Sequence, residues 1–137
     1  MQRILIISLV LYALCMTSIS CQQQSNVLAF NSNQFNTQLK NVPIAMVAFY
    51  APWCHYSQML LPEFDTASAI VKFLPDVSLI KVDCYDQASK DTCKSQNVNG
   101  YPTIKIFKYG RFYKMYDGPR KSFEILNYIF GLEDGTN

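Results

Sequence analysis

The chain has 137 residues, 50% of them hydrophobic, with 12 Lys and Arg against 10 Asp and Glu. That length suits one ordinary domain with a core of its own, and the apolar content excludes a disordered chain. A formal charge of +2 with no run of Lys or Arg leaves no electrostatic footprint for nucleic acid, so recognition has to rest on contacts at a site.

The first residues have the three parts of a secretory signal: a basic start at Met1-Gln-Arg, an apolar run from Ile4 to Leu14, and small residues at Ser18 and Ser20. Cleavage after Ser20 is expected, with no membrane attachment afterwards. Two alternatives are an uncleaved anchor, for which the run falls short of the about 20 apolar residues of a spanning helix, and lipidation at Cys21. Ser18 is not the large aliphatic residue that lipidation would want three positions upstream. A secreted chain meets oxidising conditions, so Cys21, Cys54, Cys84 and Cys93 read first as redox or structural thiols. The last residues, Glu133-Asp134-Gly135-Thr136-Asn137, are not a Lys-Asp-Glu-Leu-type retrieval signal. Residence in the ER lumen would then draw on a partner or a retained client, and secretion is the other destination.

A polar tail, 21–26, leads into a domain expected over 27–131, with a C-terminal tail over 132–137. Val27 to Phe30 reads as a short strand, after which Asn31 or Ser32 caps a helix with Phe35 and Leu39 on one face. The uninterrupted apolar run Ile44–Tyr50, ended by Ala51-Pro52, reads as a strand covered on both faces, the mark of a parallel sheet. From Cys54 to about Phe73, the residues Leu60, Phe64, Ala67, Ile70 and Val71 recur at helical spacing, with a kink expected at Pro62. Val77–Asp83 is a third strand and Gln87–Gln96 a polar helix. Thr103–Tyr109 and Arg111–Tyr116 form a hairpin turning at Gly110. A closing helix is capped by Ser122, turns Phe123, Leu126, Ile129 and Phe130 inward, and ends at Gly131. Strands alternating with helices, then a hairpin and a last helix, give a small α/β domain with a mixed sheet flanked by helices.

The chemistry concentrates in Phe49-Tyr50-Ala51-Pro52-Trp53-Cys54-His55-Tyr56-Ser57, where a buried strand ends and a helix begins on a cysteine. A helix N-terminus offers unpaired N–H groups and the positive end of the dipole, and both favour thiolate over thiol. A lone thiol is more often buried and inert. Trp53, the strand-to-helix position and the lack of an apolar residue at 55 or 57 point instead to a reactive one.

This stretch, together with Val82-Asp83-Cys84 and Cys93, and with Gly100-Tyr101-Pro102-Thr103-Ile104-Lys105-Ile106-Phe107 followed by Tyr116-Asp117-Gly118-Pro119-Arg120, resembles the thioredoxin superfamily. Within it, the chain resembles a catalytic domain of the protein disulfide isomerase family. The resemblance covers about residues 27–131 and implies the thioredoxin fold. It also implies a cis bond before Pro102 opposite Cys54, with the Tyr101 backbone open to an extended client. An ordinary trans proline opening an edge strand is the plainer alternative.

Three departures define the site. Where oxidising members carry Cys-Gly-His-Cys, this chain has Cys54-His55-Tyr56-Ser57, so the resolving thiol is absent. The family's buried acid, six residues before the first cysteine, is Ala48, and its Lys after the motif is Gln58. His55 is either a solvated residue or a cation that helps hold the thiolate. Ser57 can cap the helix or hydrogen-bond to the thiolate, and Arg120 stands where the family places an arginine able to approach the site, with a solvated surface arginine as the alternative. The resemblance further implies a disulfide between Cys84 and Cys93, with two free thiols as the alternative. Cys21 would then be left over as a labile thiol, an intermolecular bridge or a resolving thiol for Cys54. No metal is expected, because the chain has one histidine and no paired Cys-x-x-Cys set.

The expected activity is monothiol exchange: Cys54 attacks a client disulfide, and a client thiol, glutathione as co-substrate or another thiol oxidoreductase releases it. The resemblance supplies Trp53, His55, Tyr56, Tyr101 and Pro102 as client-contacting residues. The alternative is a chaperone or retention protein for which client capture is the end point.

Overall fold

The computed structural model describes residues 25–135. The signal segment, Cys21 and the end of the C-terminal tail lie outside them. Elements follow the expected order: β1 (Leu28–Ala29), α1 (Ser32–Gln38), β2 (Ile44–Tyr50), α2 (His55–Val71), β3 (Val77–Asp83), α3 (Lys90–Ser95), β4 (Thr103–Lys108), β5 (Arg111–Met115) and α4 (Ser122–Glu133).

The sheet order is β1-β3-β2-β4-β5. β1, β3 and β2 run parallel, and β4 and β5 are antiparallel to their neighbours. This mixed five-stranded sheet with helices on both faces is the thioredoxin fold.

β2 is apolar throughout because it is central and covered twice. Its Met46 and Ala48 enter a core with Leu60, Phe64, Ala67 and Val71 of α2 and Ile125, Ile129 and Leu132 of α4. Its Ala45, Val47 and Phe49 enter a second core with Phe35 and Leu39 beneath α1, and with Cys84 and Cys93. β1 is shorter than expected, two residues rather than four. Its flanking Val27 and Phe30 are the anchors, one in each core, while Leu28 is 45% exposed.

Local chemistry explains most element ends. Asn31 caps α1 through a reciprocal box, its Oδ1 accepting from the Gln34 N–H and Gln34 Oε1 accepting from its own N–H, both at 3.0 Å. α3 begins later than Gln87 because Asp83 Oδ1 accepts from the Tyr85 and Asp86 N–H groups (2.8 and 3.3 Å) and Asp86 Oδ1 from the Ala88 N–H (3.3 Å). Such Asx turns compete with the helix for the same donors. β4 stops before Tyr109 because Tyr109 and Gly110 both take positive φ (48° and 76°), the two-residue hairpin geometry.

Three expectations about the helices are corrected. Phe123 faces solvent at 69% exposure, Phe130 at 39% and Ile70 at 48%, because the buried stripe of α4 is Ile125, Ile129 and Leu132 and that of α2 passes through Ala67 and Val71. Ser122 is not the cap of α4: Lys121 holds that position without a side-chain bond. α4 also continues through Gly131 to Glu133, since burying Leu132 (3% exposed) is worth about 1.5–3 kcal/mol against about 0.5–1 kcal/mol for a helical glycine. α2 runs unbroken through Pro62.

Candidate functional site

Cys54 is the N-cap of α2, reached by a turn at the end of β2 in which its N–H donates to the Ala51 carbonyl (3.1 Å) and its own carbonyl accepts from the Gln58 N–H (3.0 Å). The first turn of a helix has N–H groups without intrahelical acceptors. Those of Ser57 and Tyr56 serve the sulfur here, and the Ser57 N–H is the largest influence lowering the Cys54 pKa below its ordinary value. Partial burial opposes it. The Ser57 hydroxyl, the Tyr56 N–H and the Arg120 charge add to the lowering. His55 is solvent-exposed with its ring against Tyr56 (5.9 Å).

Ser57 is fully buried, and its Oγ accepts from the Ala51 N–H (3.4 Å). A hydroxyl fixed there offers hydrogen bonds to the neighbouring sulfur but has no redox chemistry of its own. Ala48 is likewise fully buried, between Lys81 of β3 and Ile104 of β4 in register. A carboxylate at that depth without a partner would carry a large desolvation cost. Gln58 turns back to donate to the Pro52 carbonyl (2.9 Å).

Register brings the remaining parts together. Pairing of Phe49 with Thr103 sets the segment before β4 beside the end of β2, and the Tyr101–Pro102 bond there is cis. The protonated Cys54 thiol donates to the Tyr101 carbonyl at 3.4 Å. Arg120 Nη2 donates to the Pro102 carbonyl at 3.3 Å. That arginine is delivered by a packed turn: Tyr116 Oη donates to the Pro119 carbonyl (2.6 Å), and a Cβ on Gly118 would lie 2.8 Å from the Tyr116 ring, so only glycine fits.

Around the thiol stands a rim of exposed rings. Trp53 and Tyr56 are each 63% exposed, and Trp53 meets the edge of Tyr101 at 6.0 Å and of Tyr85 at 6.4 Å. Tyr56, Met59 and Leu60 line a small cavity of about 100 Å³ with Arg120 and Lys121. Sequence reasoning missed Tyr85 and Met59. For Tyr85 the signal was a large ring in a polar turn, but only the pairing of Tyr50 with Asp83 shows that the turn after β3 reaches Trp53. Cys84 and Cys93 are joined as a disulfide that ties the end of β3 to α3, and Cys54 is the free cysteine among the described residues.

The family model described as thioredoxin matches residues 26–130. A probable protein disulfide-isomerase ER-60 from Schistosoma mansoni is 41% identical over 84% of this chain and 24% of its own length. Protein disulfide-isomerase EUG1 from Saccharomyces cerevisiae is 34% identical over 82% of this chain and 22% of its own. The chain thus spans about a quarter of the length of these curated relatives. Among solved structures, human ERp44 superposes with a TM-score of 0.72 at 32% identity, over 78% of this chain and 29% of that one.

Proposed function

The chain belongs to the thioredoxin family, and on that premise we propose that it performs monothiol thiol–disulfide exchange on cysteine-containing clients of the secretory pathway through a mixed disulfide on Cys54. One observation carries the reading: a single activated sulfur lies against the Tyr101 carbonyl beside cis-Pro102, with the buried hydroxyl of Ser57 where a second thiol would resolve it. The kinship with protein disulfide-isomerases supports exchange as the reaction class, and residues 1–20 support the compartment.

In the first step the Cys54 thiolate attacks one sulfur of a client disulfide. A bond from Sγ to that sulfur forms, the client S–S bond breaks, and the second client sulfur leaves as a thiolate that takes up a proton. The Tyr101 backbone and the rings of Trp53 and Tyr56 hold the client chain. Arg120, tied to Pro102, keeps positive charge near the sulfur. Ser57 cannot displace the client, so release waits for another client thiolate, glutathione or a second oxidoreductase. The incoming thiolate bonds to the client sulfur and expels the Cys54 thiolate. When the attacker is the client's own thiol, a disulfide has been moved with no net redox change.

The exposed rim favours a second reading, in which a chaperone or retention protein holds its client through the rings and the mixed disulfide, and capture is the end point. Both are tested with scrambled ribonuclease in a glutathione buffer, comparing the parent, Cys54→Ala and Ser57→Cys. The parent is expected to restore ribonuclease activity and to give adducts on non-reducing gels that vanish in Cys54→Ala. Ser57→Cys shortens adduct lifetime and adds insulin reduction in dithiothreitol, which the parent lacks. Insulin reduction by the parent at the Ser57→Cys rate would overturn the monothiol mechanism. Long-lived adducts without reactivation would assign capture instead.

A further inference from the structure

Five side chains enclose a cavity of about 100 Å³ beside the thiol: Tyr56, Met59 and Leu60 of α2, and Arg120 and Lys121 of the turn that leads into α4. α2 and α4 share the larger core on one face of the sheet, so the cavity lies on the same face as Cys54, the N-cap of α2. Two contacts on successive carbonyls fix it next to the sulfur. Cys54 Sγ lies 3.4 Å from the Tyr101 carbonyl oxygen, and Arg120 Nη2 lies 3.3 Å from that of Pro102.

The chemistry of its lining is one-sided. Leu60 is fully buried and forms the floor, while Tyr56 and Met59 stand as walls at 63% and 54% exposure. The core does not account for those two walls, because the buried stripe at this end of α2 passes through Ser57, Leu60 and Phe64. Arg120 is engaged with the Pro102 carbonyl, and Lys121 Nζ with Glu63 Oε1 at 2.9 Å. No acidic residue lines the cavity. An entering Lys or Arg would therefore meet two like charges with no carboxylate to answer them, whereas an aliphatic side chain would take Leu60 and Met59 out of water.

Size decides the kind of occupant. Sites for free small molecules run to about 300–1,000 Å³. A cavity of about 100 Å³ has room for one side chain, so its occupant arrives as part of a chain. That chain is the client, laid along the Tyr101 main chain while Cys54 attacks its disulfide. In an extended segment successive side chains point to opposite faces. The client cysteine that reaches Cys54 therefore shares its face with the residues two positions away and not with its immediate neighbours. Resting on the exchange reading above, we propose that this cavity is a specificity subsite that takes an aliphatic side chain of the size of Leu or Met two residues from the attacked cysteine and rejects Lys and Arg there. Met59, the wall that no other contact requires, determines the preference.

The test uses the full chain and host peptides whose single cysteine is a mixed disulfide with 5-thio-2-nitrobenzoate. Attack by the Cys54 thiolate on the peptide sulfur forms the protein–peptide disulfide, breaks the peptide's S–S bond and releases the coloured thionitrobenzoate anion, whose absorbance gives the rate. Each position from −2 to +2 around the cysteine carries Leu, Ala, Lys or Glu in turn. Leu is expected to react about tenfold faster than Ala at −2 or +2, Lys slower than Ala at that same position, and neither effect to occur at −1 or +1. Met59→Glu should reverse the order of Leu and Lys, a ratio taken within one variant and therefore independent of any change in the thiol. Equal rates for Leu, Ala and Lys at −2 and +2, a preference confined to −1 or +1, Glu faster than Leu, or a Leu-to-Lys ratio that Met59→Glu leaves unchanged would overturn the subsite while the exchange reading stands. Release no faster than in Cys54→Ala would overturn the exchange reading, and the subsite with it.

Discussion

The Cys54 thiol is held below its ordinary pKa mainly by neighbouring N–H and O–H groups. The Ser57 N–H leads, the Ser57 hydroxyl and Tyr56 N–H follow, and Arg120 adds a weaker charge effect against the opposing influence of burial. Because the folded thiol is lowered, the thiolate persists to lower pH than in a free cysteine, and alkylation falls off only as pH drops through the folded value. The iodoacetamide rate of Cys54, measured against pH with Cys54→Ala as control, is expected to have its midpoint below the ordinary thiol value of about 8.5. Ser57→Ala should raise that midpoint but leave part of the lowering, since the backbone N–H remains. Arg120→Gln should raise it least. A parent midpoint at or above the ordinary value would remove the activated thiol from the mechanism. At this scale the thiol at a strand-to-helix junction was legible from residue order, while its missing partner and a client-contacting role for Trp53 came with the family resemblance. The buried hydroxyl of Ser57 and the Arg120–Pro102 bond were not, because each depends on a neighbour from another element.

Two links between elements decide local stability. The N-terminus of α4 has no cap of its own, and Glu63 of α2 supplies one from 59 residues away: Oε2 accepts from the Ser122 N–H and Oε1 from Lys121 Nζ, both at 2.9 Å. The Ser122 N–H, and after it Lys121, hold the Glu63 carboxyl below its ordinary pKa. A lowered carboxyl stabilises the fold above its unfolded pKa of about 4.3, and that contribution is lost as pH falls through the folded value. The urea midpoint of Glu63→Gln should therefore lie below the parent's at neutral pH, and the gap should close in acid. A gap independent of pH would contradict the charged cap. The second link is the Cys84–Cys93 disulfide, which closes a loop with a sequence separation of 9. Loop entropy at that length predicts a loss of about 2.5 kcal/mol in Cys84→Ser/Cys93→Ser, measured by urea unfolding under non-reducing conditions.

The described residues form two cores divided by one sheet, and α2 belongs to both the larger core and the site. Phe64, fully buried in its middle, joins α2 to the sheet and α4. Phe64→Ala is expected to cost about 3–5 kcal/mol, a large share of the about 5–15 kcal/mol that holds a domain together. Equilibrium denaturation gives the value. Alkylation of Cys54 in the fraction still folded should keep its midpoint, since Phe64 supplies no hydrogen bond to the sulfur. A midpoint that moves with Phe64→Ala would mean that core packing, beyond the first turn of α2, sets the thiol's state.

Local patterns sufficed for whatever depends on near neighbours in sequence. The strands Ile44–Tyr50 and Val77–Asp83 have the bounds their apolar runs mark, Asn31 caps α1 three residues before its Gln partner, and Phe35 and Leu39 share a buried face. The disulfide and the cis bond came with the family resemblance, since spacing alone left both open. Only the tertiary structure decided the strand order β1-β3-β2-β4-β5, the outward turn of Phe123, the cap lent by Glu63, the approach of Tyr85 to Trp53 and the gathering of Lys108, Arg111 and Lys114 on one hairpin. Each of these joins residues whose separation along the chain carries no periodic signal, and register and packing between elements alone set which of them meet.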